Sequence, residues 1–286
     1  MPHRKIEVIF YRTSAVDYLL CGKATTMNTD CQVFTDAAAY VGNWITRQPA
    51  VKEESLTDWL LFEILQKLPN VHYLAFSRHV EAQKTGADWE WWFLFQNGAY
   101  RYRIQAKKSN SAGDNYSSIA YTNRHGLQID KLLSDARTVN AIPAYVVFTA
   151  SQSPSRMKCG GMVRSTGAFS IGAQEAYSQF IAPGKTSIDE SRLLASSIPL
   201  QCFACCPYMS KLPSMDDFIN SYFQTEYETL MQGNSDRRPG FHRELPAYAS
   251  ALLEHRQGSP AWIDQEFAAQ VQDFNSLIVY DLRERT

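Results

Sequence analysis

The stretch "GADWEWWFLFQNGAYRYRIQAKK", Gly86 to Lys108, alternates aromatic and aliphatic residues with Asp88, Glu90, Arg101, Arg103, Gln105 and Lys107. Successive strand residues point to opposite faces, so this period of two predicts two strands, 87–95 and 100–107. Asn97-Gly98 between them is a strong hairpin signal. On the first strand Ala87, Trp89, Trp91 and Phe93 share a face, and Asp88, Glu90 and Trp92 share the other. On the second, Tyr100, Tyr102, Ile104 and Ala106 are apolar, while Arg101, Arg103, Gln105 and Lys107 form the polar face. A two-residue turn at Asn97-Gly98 would pair Gln96 with Ala99. Phe93 would then face Tyr102, and Trp91 would face Ile104. On the polar side Glu90 would face Gln105 and Asp88 would face Lys107, with Cβ atoms about 5 Å apart. Asp88, Glu90, Gln105 and Lys107 are therefore expected to converge. The plainer alternative is an exposed sheet face of cross-strand ion pairs, each contributing about 0–1 kcal/mol.

The flanking sequence gives the hairpin a setting. "KEESLTDWLLFEILQKLPN" (52–70) carries Leu56, Leu60 and Ile64 at helical spacing and ends at Pro69. "VHYLAF" (71–76) reads as a strand, "GLQIDKLLSDARTVN" (126–140) as a helix and "AYVVFTA" (144–150) as a buried strand. The order from 52 to 150 is α-β-β-β-α-β, which predicts an α/β (α+β) fold. Residues 1–50 read as a helical N-terminal extension, with helices at 4–23 and 34–48. Residues 51–150 read as the core, and 151–286 as a mostly helical C-terminal region. There "LQCFACC" reads as a strand, and so does "LIVYDL" (277–282).

Asp88 at the start of one strand, followed on the next by Gln105, Ala106 and Lys107, resembles the PD-(D/E)XK nuclease superfamily. The α-β-β-β-α-β order over 52–150 belongs to the same resemblance. The Gln is similar to the Mrr-like variant, in which Gln replaces the second acid. The longer "GADWEWW…QAKK" signature resembles an uncharacterised bacterial family of predicted defence-associated proteins. The resemblance implies a restriction-endonuclease-like core with a mixed sheet and Mg²⁺- or Mn²⁺-dependent hydrolysis of DNA, with an anti-phage role. It implies Asp88, Gln105 and Glu54 as metal ligands and Lys107 as the phosphate-facing cation. Divalent metals neutralise the scissile phosphate and activate water, and Mg²⁺ needs one or two carboxylates. Gln105 carries no charge, so Glu90 would have to compensate, or substrate phosphate would complete the shell.

Further candidates follow from position. Glu53 neighbours Glu54, and Asp58 shares a helix face with Glu54. Two acids in a first turn also suit the helix dipole. Gln128 and Lys131 lie on the helix that would line the cleft. Arg101, Arg103, Lys108 and Arg124 are candidates for backbone phosphate contacts. His79 and His125 are weaker catalytic candidates, because isolated His residues more often serve structural hydrogen bonds. Trp89 and Trp91 read as core, whereas a carbohydrate or small-ligand site would need them exposed.

The composition narrows the field. The chain has 286 residues, 45% hydrophobic and 20% charged, with a formal net charge of -1. That balance argues against non-specific coating of nucleic acid, although a local basic cleft is compatible with it. No apolar run is long enough for a membrane helix. Six Cys are too few for a disulfide scaffold, and "QCFACC" lacks a nearby His for zinc, so buried free thiols in a reducing cytoplasm are expected. No nucleophile elbow and no Gly-rich phosphate loop is present. Cutting two strands would favour a homodimer, and a partner protein or activating ligand fits a defence effector. A catalytically inactive nucleic-acid-binding or protein-interaction module on the same fold is the alternative function.

Overall fold

The computed structural model describes residues 29–76, 85–110, 114–123, 126–156, 162–206, 212–232, 238–254, 266–271 and 274–284. The helix expected at 4–23, along with His79, Arg124 and His125, lies outside them.

Helix α1 (Thr29–Arg47) buries Val33, Phe34, Ala37, Ala38, Val41 and Ile45 along one stripe. It begins at Thr29, ahead of the start at 34 expected for this helix. Helix α2 (Glu53–Lys67) opens on two acids and closes on Lys67, and it buries Leu56, Leu60, Leu61 and Ile64. Strands β1 (Val71–Ala75), β2 (Trp89–Phe95) and β3 (Gly98–Lys108) follow, then helix α3 (Gln128–Thr138) and strand β4 (Ile142–Arg156). The expected α-β-β-β-α-β order is thus present. The chain continues into strand β5 (Met162–Gly172), the short β6 (Ile198–Pro199), helices α4 (Leu212–Tyr222) and α5 (Gln224–Met231), β7 (Phe241–His242), helix α6 (Ala247–Glu254) and strand β8 (Ser276–Asp281).

One mixed sheet runs β1-β8-β2-β3-β4-β5-β6, with β7 also pairing with β3. β8 lies parallel to β2 and antiparallel to β1, and β3 lies parallel to β4. The fold is therefore α+β with helices on a mixed multi-strand sheet. Residues 151–286 contribute a series of helices and also strands β5 and β8, which enter this same sheet; β8 falls on the strand expected at 277–282. β8 separates β1 from β2, strands that adjacent order alone would pair. "LQCFACC" is not a strand either: Cys202–Cys205 form a helical turn.

Both sheet faces are covered. On one side Trp89, Trp91, Phe93, Tyr102, Ile104 and Ala106 pack against α1, α2 and α4. On the other, Tyr145 and Val147 meet α3, while Trp92, Leu277 and Val279 meet α6. Every residue of β2 is buried, so the hairpin is a central element of the sheet. Trp89 and Trp91 are 1% and 2% exposed, which removes a ligand site built on them.

The hairpin register differs from the expected one. Phe95 pairs with Gly98, Trp91 with Tyr102, and Glu90 with Arg103, so the turn residues are Gln96 and Asn97. Gly98 instead starts β3, with φ +145, and a Cβ there would collide with the Phe241 ring. Packing by β7, rather than turn type, explains this glycine. The shift is two residues, so every side chain keeps its expected face.

Cys31 and Cys205 form a disulfide between α1 and the Cys202–Cys205 turn. This corrects the expectation of free thiols throughout. Cys202 and Cys206 are buried and free. Among the described residues, no helix is long and apolar enough to cross a membrane.

Candidate functional site

The carboxyl end of β3 and the residue before β2 meet at one end of the sheet. Asp88 is anchored there by its backbone: its N–H donates to the Ile104 carbonyl at 2.7 Å, and its own carbonyl accepts from Asn275 N–H at 2.7 Å. Its Oδ2 accepts from Gln105 Nε2 at 2.5 Å and from the Ala106 N–H at 2.7 Å. The two-residue shift thus places Asp88 beside Gln105 rather than opposite Lys107.

Gln105 is nearly buried and fully engaged. Its Nε2 also reaches the Ala106 carbonyl at 3.1 Å, and its Oε1 accepts from Gln128 Nε2 at 2.8 Å. The oxygen expected to face a cation is therefore turned to Gln128, which corrects the metal-ligand assignment of Gln105. Gln128 opens α3, and Gly86 lets that helix approach. Gly86 has φ +70, and a Cβ there would lie 2.5 Å from the Gln128 carbonyl oxygen. Lys131 lies half-buried one turn further along α3.

Of the two acids that open α2, Glu53 makes the contacts to the end of β3, while both Glu53 and Glu54 line the cavity there. Glu53 Oε2 accepts from the Lys108 N–H at 2.8 Å, and its Oε1 lies 3.9 Å from Lys107 Nζ. Glu54, the expected ligand, is exposed. A helix advances 100° per residue, and sequence alone could not decide which of two adjacent acids turns inward. Burial pushes the Glu53 carboxyl up to about 7; Lys107 opposes the rise and Asp88 adds to it. A small cavity of about 50 Å³ is lined by Glu53, Glu54, Thr57, Asp58, Asp88, Ala106, Asn275 and Ser276. Asn275 and Ser276 had no signal in the sequence. They arrive because β8 runs alongside β2, with Ser276 paired to Trp89.

The other polar residues of the hairpin do different work. Glu90 is fully buried; its Oε1 accepts from Trp92 Nε1 at 2.5 Å and Tyr248 Oη at 2.6 Å. Its Oε2 lies 2.6 Å from Arg101 and 3.2 Å from Arg103. Arg103 also lies 3.1 Å from Asp135, and its guanidinium covers the Phe274 ring at 4.6 Å. Arg101 donates to the Val139 carbonyl at 3.2 Å and to Tyr248 Oη at 3.0 Å. Burial raises the Glu90 carboxyl, but Arg103, Arg101 and the two hydrogen bonds together hold it below the usual range. Arg101 and Arg103 are thus internal counter-ions under α6, not an open strip for phosphates, and Glu90 is their partner, not a compensating acid of the site. Lys108, expected at a nucleic-acid surface, donates its Nζ to the Pro49 and Ser109 carbonyls at 2.8 and 3.1 Å.

Two carboxylates, one carboxamide and one ammonium thus gather at the end of β3. Among the described residues no cluster of three or more His, Cys, Asp or Glu side chains is placed to hold a metal ion. The pair Glu53 and Asp88 still meets the smaller carboxylate requirement of Mg²⁺, which keeps several waters. Asp88 adds to the cost of charging Glu53, and a cation would relieve that cost.

No curated protein matches the chain. A family model matches residues 30–284, nearly all of the described structure, and the chain belongs to that family, a family of unknown function (DUF6615).

Proposed function

We propose that this chain is a metal-dependent nuclease of the PD-(D/E)XK type, hydrolysing phosphodiester bonds in DNA. One observation carries the reading: Glu53 and Asp88 line one small cavity, with Gln105 hydrogen-bonded to Asp88 and Lys107 Nζ 3.9 Å from Glu53. Asp88 and Glu53 would hold the ion. When bound, it supplies charge neutralisation at phosphate and a more acidic water. Gln105 fixes the Asp88 carboxylate, and Gln128 fixes Gln105. Lys107 is nearly buried, where its charge acts through less solvent on a developing phosphate anion. The choice of DNA and the role in anti-phage defence rest on the resemblance.

The test is incubation of plasmid DNA with the protein and Mg²⁺ or Mn²⁺, beside Asp88→Asn, Glu53→Gln and Lys107→Met. The expected result is cleavage by the unmodified chain, reduced by about 10²-fold or more in each variant. Equal inertness of all four proteins, with no Mn²⁺ binding in a titration, would leave the second reading. That reading is a binding module on the same fold, and the engagement of the Gln105 oxygen by Gln128 favours it.

A further inference from the structure

Four of the six cysteines lie among the described residues, and they gather at one place. Cys31 sits in the first turn of α1, and Cys202, Cys205 and Cys206 lie in and beside the helical turn that α1 meets. The Cys31–Cys205 bridge is half-buried at both ends. Cys202 is fully buried and precedes Cys205 by one turn of the same element. Residues three apart in a helical turn share a face, with Cβ atoms about 5–6 Å apart. A disulfide needs about 3.5–4.5 Å between Cβ atoms, so a slight tightening of the turn brings the Cys202 and Cys205 sulfurs to bonding distance. Cys206 is turned toward α4, its Sγ 3.8 Å from Tyr222 Oη. The first turn of α1 lies ahead of its apolar stripe: Thr29 is exposed, Asp30, Cys31 and Gln32 are half-buried, and the buried positions start at Val33. Asp30 helps to seat this turn, because its Oδ2 accepts from Tyr280 Oη at 2.6 Å and from Asn70 Nδ2 at 3.5 Å.

We propose that Cys205 is the shared member of two alternative disulfides, Cys31–Cys205 and Cys202–Cys205, and that the seating of the first turn of α1 selects between them. Exchange begins with Cys202 as a thiolate, its proton passed to solvent. The Cys202 sulfur attacks Cys205 Sγ; the Cys202–Cys205 bond forms as the Cys205–Cys31 bond breaks, and Cys31 leaves as a thiolate that takes up a proton. One disulfide and one thiol are present before and after, so no oxidant or reductant enters. Only the thiolate is nucleophilic, and Cys202 is fully buried, so the attack waits on the lifting of α1 from the turn. Chain entropy favours the local pair. The Cys31 bridge closes a loop of 174 residues, whereas the Cys202 pair closes a single turn. Loop closure weakens as the three-halves power of length, which is a preference on the order of 10²-fold. Docked α1 outweighs that preference by holding Cys31 against the turn. When the first turn lifts, Cys205 passes to Cys202 and α1 loses its covalent tie. The covalent state of the chain thus records whether α1 is seated, and the exchange needs nothing from the candidate centre.

The experiment holds the full chain at mildly alkaline pH without added thiol, beside Asp30→Ala, Tyr280→Phe and the double variant Asp30→Ala/Cys202→Ser. Samples taken over a day are quenched in acid and alkylated, and the disulfides are mapped by proteolysis and mass spectrometry. Circular dichroism checks that each protein stays folded. The Cys31–Cys205 bridge should predominate in the unmodified chain. Loss of a charged hydrogen bond that seats the first turn should raise the ratio of Cys202–Cys205 to Cys31–Cys205 about ten-fold in Asp30→Ala. Tyr280→Phe removes only a hydroxyl and should shift the ratio the same way, so it carries the test if Asp30→Ala fails to fold. The exchanged form should show faster amide hydrogen exchange at residues 29–33, and the double variant should keep Cys31 bridged to Cys205. A ratio that stays at the unmodified value in the folded variants would overturn the proposal. So would bridges from Cys202 or Cys31 to Cys21, Cys159 or Cys206 at comparable yield, because random scrambling would then replace a shared Cys205.

Discussion

Replacing Glu90 with Gln keeps its shape and removes its charge from the centre of the sheet. Five N–H or O–H groups of Trp92, Tyr248, Arg101 and Arg103 converge on this carboxylate. Its own exposure is 0%, and Arg103 is 3% exposed, so water cannot take over the lost interactions. Removing one partner of a buried pair costs about 3–5 kcal/mol, because the remaining charge is stranded. A domain is stable by about 5–15 kcal/mol in all, so the loss should appear as a drop of roughly 10 °C in melting temperature. The assay is urea unfolding followed by circular dichroism at neutral pH. The Glu90 carboxyl is held below its usual value, so its contribution is present above the unfolded pKa and lost as pH falls through the folded one. The two proteins should therefore converge in acid. A difference under about 1 kcal/mol at neutral pH would refute the reasoning, since that is the behaviour of solvated surface pairs. The double variant Glu90→Gln/Arg103→Met should lose less than the sum of the singles.

Three more expectations follow from other contacts. Burial raises the Glu226 carboxyl to about 7, so its charging costs stability between the unfolded pKa near 4.5 and 7; Glu226→Gln should be up to about 3 kcal/mol more stable than the unmodified chain at pH 8 and show no such gain below pH 4, in pH-dependent chemical unfolding. Gly98→Ala should destabilise by several kcal/mol, because φ +145 and the Phe241 ring both exclude a side chain, and urea midpoints will measure it. Cys205→Ser should cost about 2–5 kcal/mol under non-reducing conditions, and a matching loss should follow reduction of the unmodified chain.

The hairpin, its faces and the two central helices were legible because hydrophobic period is a local property. Asp88, Gln105 and Lys107 fell on one face whichever even register was chosen. The register itself was not legible, because Phe241 dictates Gly98 from far along the chain. Arg101 and Arg103 alternate like surface residues and look like phosphate contacts, yet α6 and Phe274 cover them. Pattern reports which face a side chain takes but not whether a later segment will close over that face. Asn275 and Ser276 escaped for the same reason, since no local motif announces that β8 will slot between β1 and β2. The Cys31–Cys205 bridge spans 174 residues and has no local signature at all.

That insertion of β8 has a temporal meaning. β1 is held in the sheet through β8, and the backbone donor to the Asp88 carbonyl comes from Asn275, the residue just before β8. Residues near 88 must therefore wait for partners almost two hundred positions later in synthesis. Contacts of such long separation form late and slowly. A nascent chain still on the ribosome already contains Glu53 and Asp88, but Asn275 and Ser276, which line the cavity with them, have not yet been made. Any reactivity the assembled centre possesses is thus withheld from the cell until synthesis has passed residue 281.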